Sequence, residues 1–303
     1  MPANTSNIKT TWFSKGVTVK AAKSHVLNGK YRMKSNVVGG TAKFPYFGNV
    51  AVVPKAFRAE TAVTSPDEEF RECNMTAWLC SEYTDVMQSD TTNIDEVREL
   101  INIFGSAIGR QQDQFVLDAL AGGVAGDFSD YAATIEVGSS ANTQFSTTKF
   151  DATSPYGILT TADEVLDDNE VEAEDRLAIF PAKWKKYFMR DDALINADYK
   201  GNHMAVKNGR LTMTSGMEIL FIGQRNKTAR STTNAGQGGW NSTGGVGYIY
   251  QKNALGVAYT RKPQLYRTWR AEMTSHFLGI GFQAGSCVIA PERIVRVTNG
   301  PIA

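Results

Sequence analysis

Histidine and cysteine are scarce in this sequence, with three of each in 303 residues. His25, His203 and His276 have no partners at metal-ligand spacing, which argues against a metal centre built on imidazole. Cys73, Cys80 and Cys287 form an odd set without metal-ligand spacing, and they read as reduced, packed thiols of a protein made in a cytosol. No run approaches the roughly 20 apolar residues that cross a bilayer, so no membrane partner is expected. The opening MPANTSNIKTTWF lacks the apolar core of a secretory signal. Neither a GxSxG elbow nor a GxxxxGK[ST] loop is present. The loop AGQGGWNSTGG has no Walker lysine, and Asn241 stands where a GxGxxG frame begun at Gly236 needs its third glycine. The acidic run DEVLDDNEVEAED lacks the glycine and alternating ligands of a calcium loop. These absences leave no nucleophile, base and orienter to combine, so we expect no catalytic residue, no metal, no cofactor and no enzymatic activity.

Acid is also missing where it would be noticed. Residues 1–59 hold eight Lys and two Arg and no carboxylate. Residues 60–198 carry nine cations against 28 acids, and residues 199–271 carry eleven cations against Glu218 alone. The net charge is nevertheless only +1, which speaks against a dedicated nucleic-acid binder. Two readings of the blocks stay open. Folding can mix them into a neutral surface, or copies of the chain can attract one another, basic arm to acidic body.

Residues 1–40 read as an extended arm. Its scattered apolar residues, Trp12 and Phe13 among them, cannot offset the ordering entropy alone. Its cations include Lys9, Lys15, Lys20, Lys23 and Lys30. Residues 41–86 read as a two-stranded excursion, one strand near TAKFPYFG and the other near ECNMTAWLCSEYTDVM, where apolar and polar residues alternate. Such a projection is marginal alone. Its aromatic residues Phe44, Tyr46, Phe47 and Trp78 are therefore candidates for burial against a neighbour. Asn93 and Glu96 then form a capping-box pattern. A stripe of Ile94, Val97, Ile101, Phe104, Ile108 and Phe115 predicts a helix over 94–121, with Gly105 and Gly109 inside it. Glycine costs about 1 kcal/mol against alanine there and often permits close packing or a bend. Ser154 and Pro155 open a second helix. The acidic run follows, with Asp163, Glu164, Asp167 and Asp168 on a solvated or partner-facing surface. LAIF at 177–180 reads as a buried strand, PAKWKKYFMRD as a helix, LTMTSGMEILFIG as a hairpin, and 224–247 as a flexible loop holding Trp240.

This order of elements resembles the Hong Kong 97-type fold. More closely, it resembles the capsid proteins of short-tailed phages. The phrases that carry the likeness are AKFPYFG at Ala42–Gly48, the strand and long helix of Glu72–Gly122, residues 177–223, and NALGVAYTRKPQ…FQAGSCVIAPERIVRV at 253–297. The resemblance implies an α+β chain divided into an arm (1–40), an extended β loop (41–86), a peripheral domain (87–174) with the spine helix, an axial domain (175–260), and a C-terminal return to the peripheral domain (261–303). It implies a coat protein that assembles as pentamers and hexamers into an icosahedral shell around double-stranded DNA. The DNA would be contacted non-specifically. Further implied partners are a scaffolding protein, a portal protein at one vertex and a decoration protein. The shell would be assembled in the host cytoplasm. The arm and extended loop would lie on neighbouring subunits, and the Trp240 loop near the centre of each capsomer. An encapsulin-type nanocompartment, with the same fold around a cargo enzyme, is the alternative.

Overall fold

The computed structural model describes residues 25–50, 52–55, 57–58, 60, 65–85, 96–122, 128–137, 154–191, 194, 206–207, 210–211, 213–214, 216–223 and 246–298. In chain order the strands are β1 (Arg32–Ser35), β2 (Thr41–Phe47), β3 (Glu68–Asn74), β4 (Thr76–Asp85), β5 (Ala133–Glu136), β6 (Arg176–Pro181), β7 (Val206–Lys207), β8 (Arg210–Leu211), β9 (Met213–Thr214), β10 (Met217–Ile222), β11 (Val246–Gln251), β12 (Leu255–Arg270), β13 (Ser275–Val288) and β14 (Ile294–Thr298). The helices are α1 (Glu96–Gly122), α2 (Pro155–Asp168) and the single turn α3 (Lys185–Phe188).

Helix α1 runs for 27 residues, a rod of about 40 Å. Its buried face carries Phe104, Ile108, Phe115, Val116, Leu117 and Leu120, close to the predicted stripe. Phe115 meets Phe282 of β13 edge-on, with ring centroids 5.9 Å apart. The helix thereby seats on a four-stranded sheet of order β1-β12-β13-β4. Within it β12 and β13 form one long antiparallel hairpin, with register shifts between Tyr259 and Gln264. Beyond Thr260 almost every β12 side chain is exposed, so the hairpin end projects from the body.

The second sheet has the order β5-β14-β11-β6-β10-β9 and is covered on both faces. Its alternation explains how. Leu177, Ile179, Ile222, Tyr248, Tyr250 and Ile294 join the cluster around the C-terminal half of α1. Ala178, Phe180, Ile219, Ile249, Val295 and Val297 join the cluster around Ile158, Leu159, Ala162 and Leu166 of α2. A strand buried on both faces reads as a continuous apolar run, which is why LAIF was legible. Helix α2 starts as expected, with the Ser154 Oγ accepting from the Gly157 N–H at 3.0 Å. Among the described residues the short β7 and β8 pair only with each other.

Three expectations are corrected. The strand read across Glu72–Met87 is two strands. β3 pairs with β2, whereas β4 leaves the excursion and pairs with β13. The segment PAKWKKYFMRD gives a 3-10 turn at Ala182–Trp184 followed only by α3. Finally, residues 25–40 of the arm, expected on a neighbouring subunit, lie on the subunit's own body, where β1 pairs with β12 and Leu27 and Tyr31 are buried. Helix α2, β5 and β14 pack with the six-stranded sheet. The apolar faces of α2 and β14 match the Phe180 side of that sheet, and burial rather than chain order decides their place.

Candidate assembly surfaces

The β2–β3 excursion divides into an anchored base and an uncovered end. At the base, Ala42 and Phe44 alternate inward and pack with Val37, Cys73, Ala258 and Ile289. Phe44 was expected to meet a neighbouring subunit, but it lies in the subunit's own interior, almost wholly buried. Period two puts it on the same face as Ala42. Farther out, the Gly48 N–H donates to the Asp67 carbonyl at 2.8 Å and squares off the ladder. Beyond the anchored residues Phe47 and Phe70 are exposed, and so are Val50, Val52, Val53 and Phe57, the last at 92%. Tyr46 stands between the two regions. Burial first, then the negative charge of Glu292 and a hydrogen bond to it, pushes its hydroxyl above the ordinary tyrosine range. The excursion's charges pair internally, Lys43 with Glu72 at 3.0 Å and Arg71 with Glu69 at 3.1 Å.

A second exposed surface follows β4, an edge strand of its sheet. Leu79 and Tyr83 point away from α1, and Tyr83 packs edge-on against Phe277 at 5.4 Å. Trp78 points the other way. It is 39% exposed yet lies 5.5 Å from the Phe115 ring of α1. It therefore supports the subunit's own spine while part of its ring stays uncovered. The projecting end of β12–β13 adds Leu265, Trp269 and Met273, with the cations Arg261, Lys262, Arg267 and Arg270 around them.

The acidic run has an internal job. Arg176, 2% exposed, reaches Asp163 at 2.5 Å and Asp167 at 2.6 Å and also donates to the Val171 carbonyl. Glu164 and Asp168 remain exposed beside it. Asp163 and Asp167 thus tie α2 to β6, and a buried guanidinium needs those carboxylates to offset its desolvation. Charge blocks also meet within the chain at Lys30, whose ammonium pairs with Glu218.

Sequence reasoning missed Asp113. This carboxylate is fully buried in α1. It accepts the backbone N–H of Val26 at 3.0 Å, that of Leu27 at 2.9 Å, and the His25 imidazole at 2.7 Å. The inner end of the arm is docked there, and it continues through Tyr31, whose hydroxyl lies 3.4 Å from that of Tyr259. One turn earlier, a Cβ on Gly109 would fall 2.7 Å from the His25 nitrogen, so glycine at 109 lets the arm cross the helix in contact. The pattern Gly-x-x-x-Asp inside an apolar stripe was the available signal. Lys9, Trp12, Phe13, Lys15, Lys20, Lys23 and Trp240 lie outside the described residues. Among the described residues no group of His, Cys, Asp and Glu is arranged to hold a metal.

Two covered faces, a long helix under a sheet and a projecting excursion make this a shell-type fold, and solved structures agree. The chain resembles the capsid of cyanophage P-SCSP1u, with TM-score 0.74 and 17% identity over 98% of this chain and 94% of that one. It also resembles the mature capsid of bacteriophage PhiM1, at 0.72 and 13% over 97% and 92%. The head of Helicobacter pylori bacteriophage KHP40 matches at 0.71 and 9% over 99% and 98%. No curated protein matches the sequence. The profile of the phage capsid protein family matches residues 10–300, and the chain belongs to that family, as a major capsid protein of a tailed phage with the Hong Kong 97-type fold.

Proposed function

We propose that copies of this chain form pentamers and hexamers that close into an icosahedral shell around double-stranded DNA, each copy covering the next with its β2–β3 excursion. The observation that carries this reading is the apolar end of the excursion. Phe47, Val52, Phe57 and Phe70 are exposed on a segment whose base is firmly packed. Soluble chains rarely leave such a group uncovered unless a partner covers it, and aromatic residues commonly dominate such contacts. The part of the arm that precedes His25 serves as a strap between subunits, because its apolar residues, Trp12 and Phe13 among them, gain from protein burial whereas phosphates need only its cations. Scaffolding, portal and decoration proteins and the packaged DNA are the further partners, and assembly takes place in the host cytoplasm. The subunit acts by packing and needs no chemistry of its own. The test is a Phe57→Ser/Phe70→Ser double variant expressed alongside the parent. Folded subunits that no longer form particles support the reading. Normal particles from the variant overturn it.

A further inference from the structure

Two of the three cysteines meet where the excursion joins the body. Cys73 is the penultimate residue of β3 and is buried in the cluster that holds Phe44 and Ala258. Cys287 lies on β13, opposite Gly256, and packs against the same cluster from a half-buried position. The strands cross closely. A Cβ on Gly285 would fall 2.1 Å from the Asn74 carbonyl oxygen and 3.0 Å from the Cys73 sulfur. Only glycine lets β3 lie this near β13. Cys287 is two residues beyond Gly285 and therefore on the same face of β13, beside the Cys73 sulfur. The two thiols share a hydrogen bond. It favours loss of a first proton from the pair and holds the second, so Cys73 is drawn below and Cys287 pushed above the ordinary thiol range. Arg71, two residues before Cys73, places its guanidinium where it favours a thiolate at Cys287. Cys80 has a different setting. It stands on β4 opposite Ile280, and its thiol is pushed up by burial and then by Glu82.

From this geometry we infer that Cys73 and Cys287 form a latent dithiol that closes to an intrasubunit disulfide, stapling the base of the β2–β3 excursion to β13. The oxidant is a small-molecule disulfide. The half-buried Cys287 passes its proton across the shared hydrogen bond to the Cys73 thiolate as it attacks one of the small disulfide's sulfurs, and one small thiol is released. Cys73 then attacks the mixed disulfide at the Cys287 sulfur and releases the second. Both protein thiol protons end on the small thiols, and the small disulfide receives the two electrons that the protein pair gives up. Such exchange proceeds through the thiolate. The reduced pair suits a shell made in a reducing cytosol, and closure suits a particle that has left it.

The experiment treats the purified full-length chain and its Cys80→Ser, Cys73→Ser and Cys287→Ser variants with oxidised glutathione. The readouts are intact mass and non-reducing peptide mapping. The expected result is loss of two hydrogens and a Cys73–Cys287 linked peptide in the parent and in Cys80→Ser. Each of the other variants stops at a free thiol or a mixed disulfide. The parent and Cys80→Ser keep both residues, so the test stands even if a core serine impairs folding. Unchanged thiols in the parent, a bond to Cys80, or bonds formed only between chains would each overturn the inference.

Discussion

Replacing Gly109 with alanine separates two forces that act on the spine helix. Alanine is a better helix former by about 1 kcal/mol, so helix propensity alone predicts a more stable subunit. The structure predicts the reverse. The new Cβ would lie 2.7 Å from the His25 nitrogen and 3.3 Å from its Cα, and backbone cannot swing aside as a side-chain tip can. Residues 25–27 would have to lift from α1, away from three hydrogen bonds to the buried Asp113 carboxylate. A hydrogen bond to a charged group contributes about 1.5–3 kcal/mol, so losing one or two exceeds the propensity gain. We expect a net loss of about 0.5–5 kcal/mol. Gly105 is the internal control. It sits one turn earlier, exposed, and a Cβ there meets nothing within 4 Å, so Gly105→Ala should stabilise by up to about 1 kcal/mol. Denaturant unfolding of the two variants as unassembled subunits reads the difference. If Gly109→Ala proved as stable as Gly105→Ala, the docking of the arm across α1 would be wrong.

Three further outcomes follow from the packing. Phe104→Ala should cost the unassembled subunit about 2–5 kcal/mol, seen in the same unfolding assay, because the ring is buried; unchanged stability would contradict that burial. Arg176→Met should lower subunit stability less than Arg176→Ala, since the aliphatic chain keeps the volume that alanine vacates between α2 and β6; equal losses would mean that the ion pairs alone matter. Tyr248 is pushed up to about 12 by burial, and Tyr31, Tyr131 and Tyr250 are raised by the same cause. A raised folded-state value contributes stability that is fully present below the unfolded value near 10 and is lost as pH climbs through the folded one. Unfolding midpoints should therefore fall between about pH 10 and 12, together with a rise in tyrosinate absorbance on unfolding; tyrosinate that forms at lower pH in the folded subunit would contradict this burial.

The elements that were legible in the sequence are those with local rules. α1 was expected at 94–121 and spans Glu96–Gly122, and α2 carries the serine cap and first-turn proline that announce it. The hairpin at 211–223 also appears, as β9 and β10 turning at Gly216 with φ +72°. What was not legible depends on partners distant in sequence. The break between β3 and β4 at Met75 carries no turn signal, because the chain changes its pairing partner from β2 to β13 without changing direction. The projecting half of β12 was hidden because YTRKPQLYRTWR has little alternation, being exposed on both faces. At the candidate site, aromatic content picked out the excursion but could not sort its residues. Phe44 and Phe47 look alike in sequence, and only the seat formed by Val37, Ala258 and Ile289 draws Phe44 inward. The acidic run read as surface, yet Asp163 and Asp167 answer to Arg176, a cation that the sequence shows without its burial.

The central claim is that the uncovered apolar end of the β2–β3 excursion is buried by a second copy of the chain. Electron cryomicroscopy of particles formed by the expressed protein tests it most directly. The account predicts closed icosahedral shells in which Phe47, Val52, Phe57 and Phe70 lie against a neighbouring subunit. Protein that stays monomeric, or shells in which those four side chains face solvent, would contradict it.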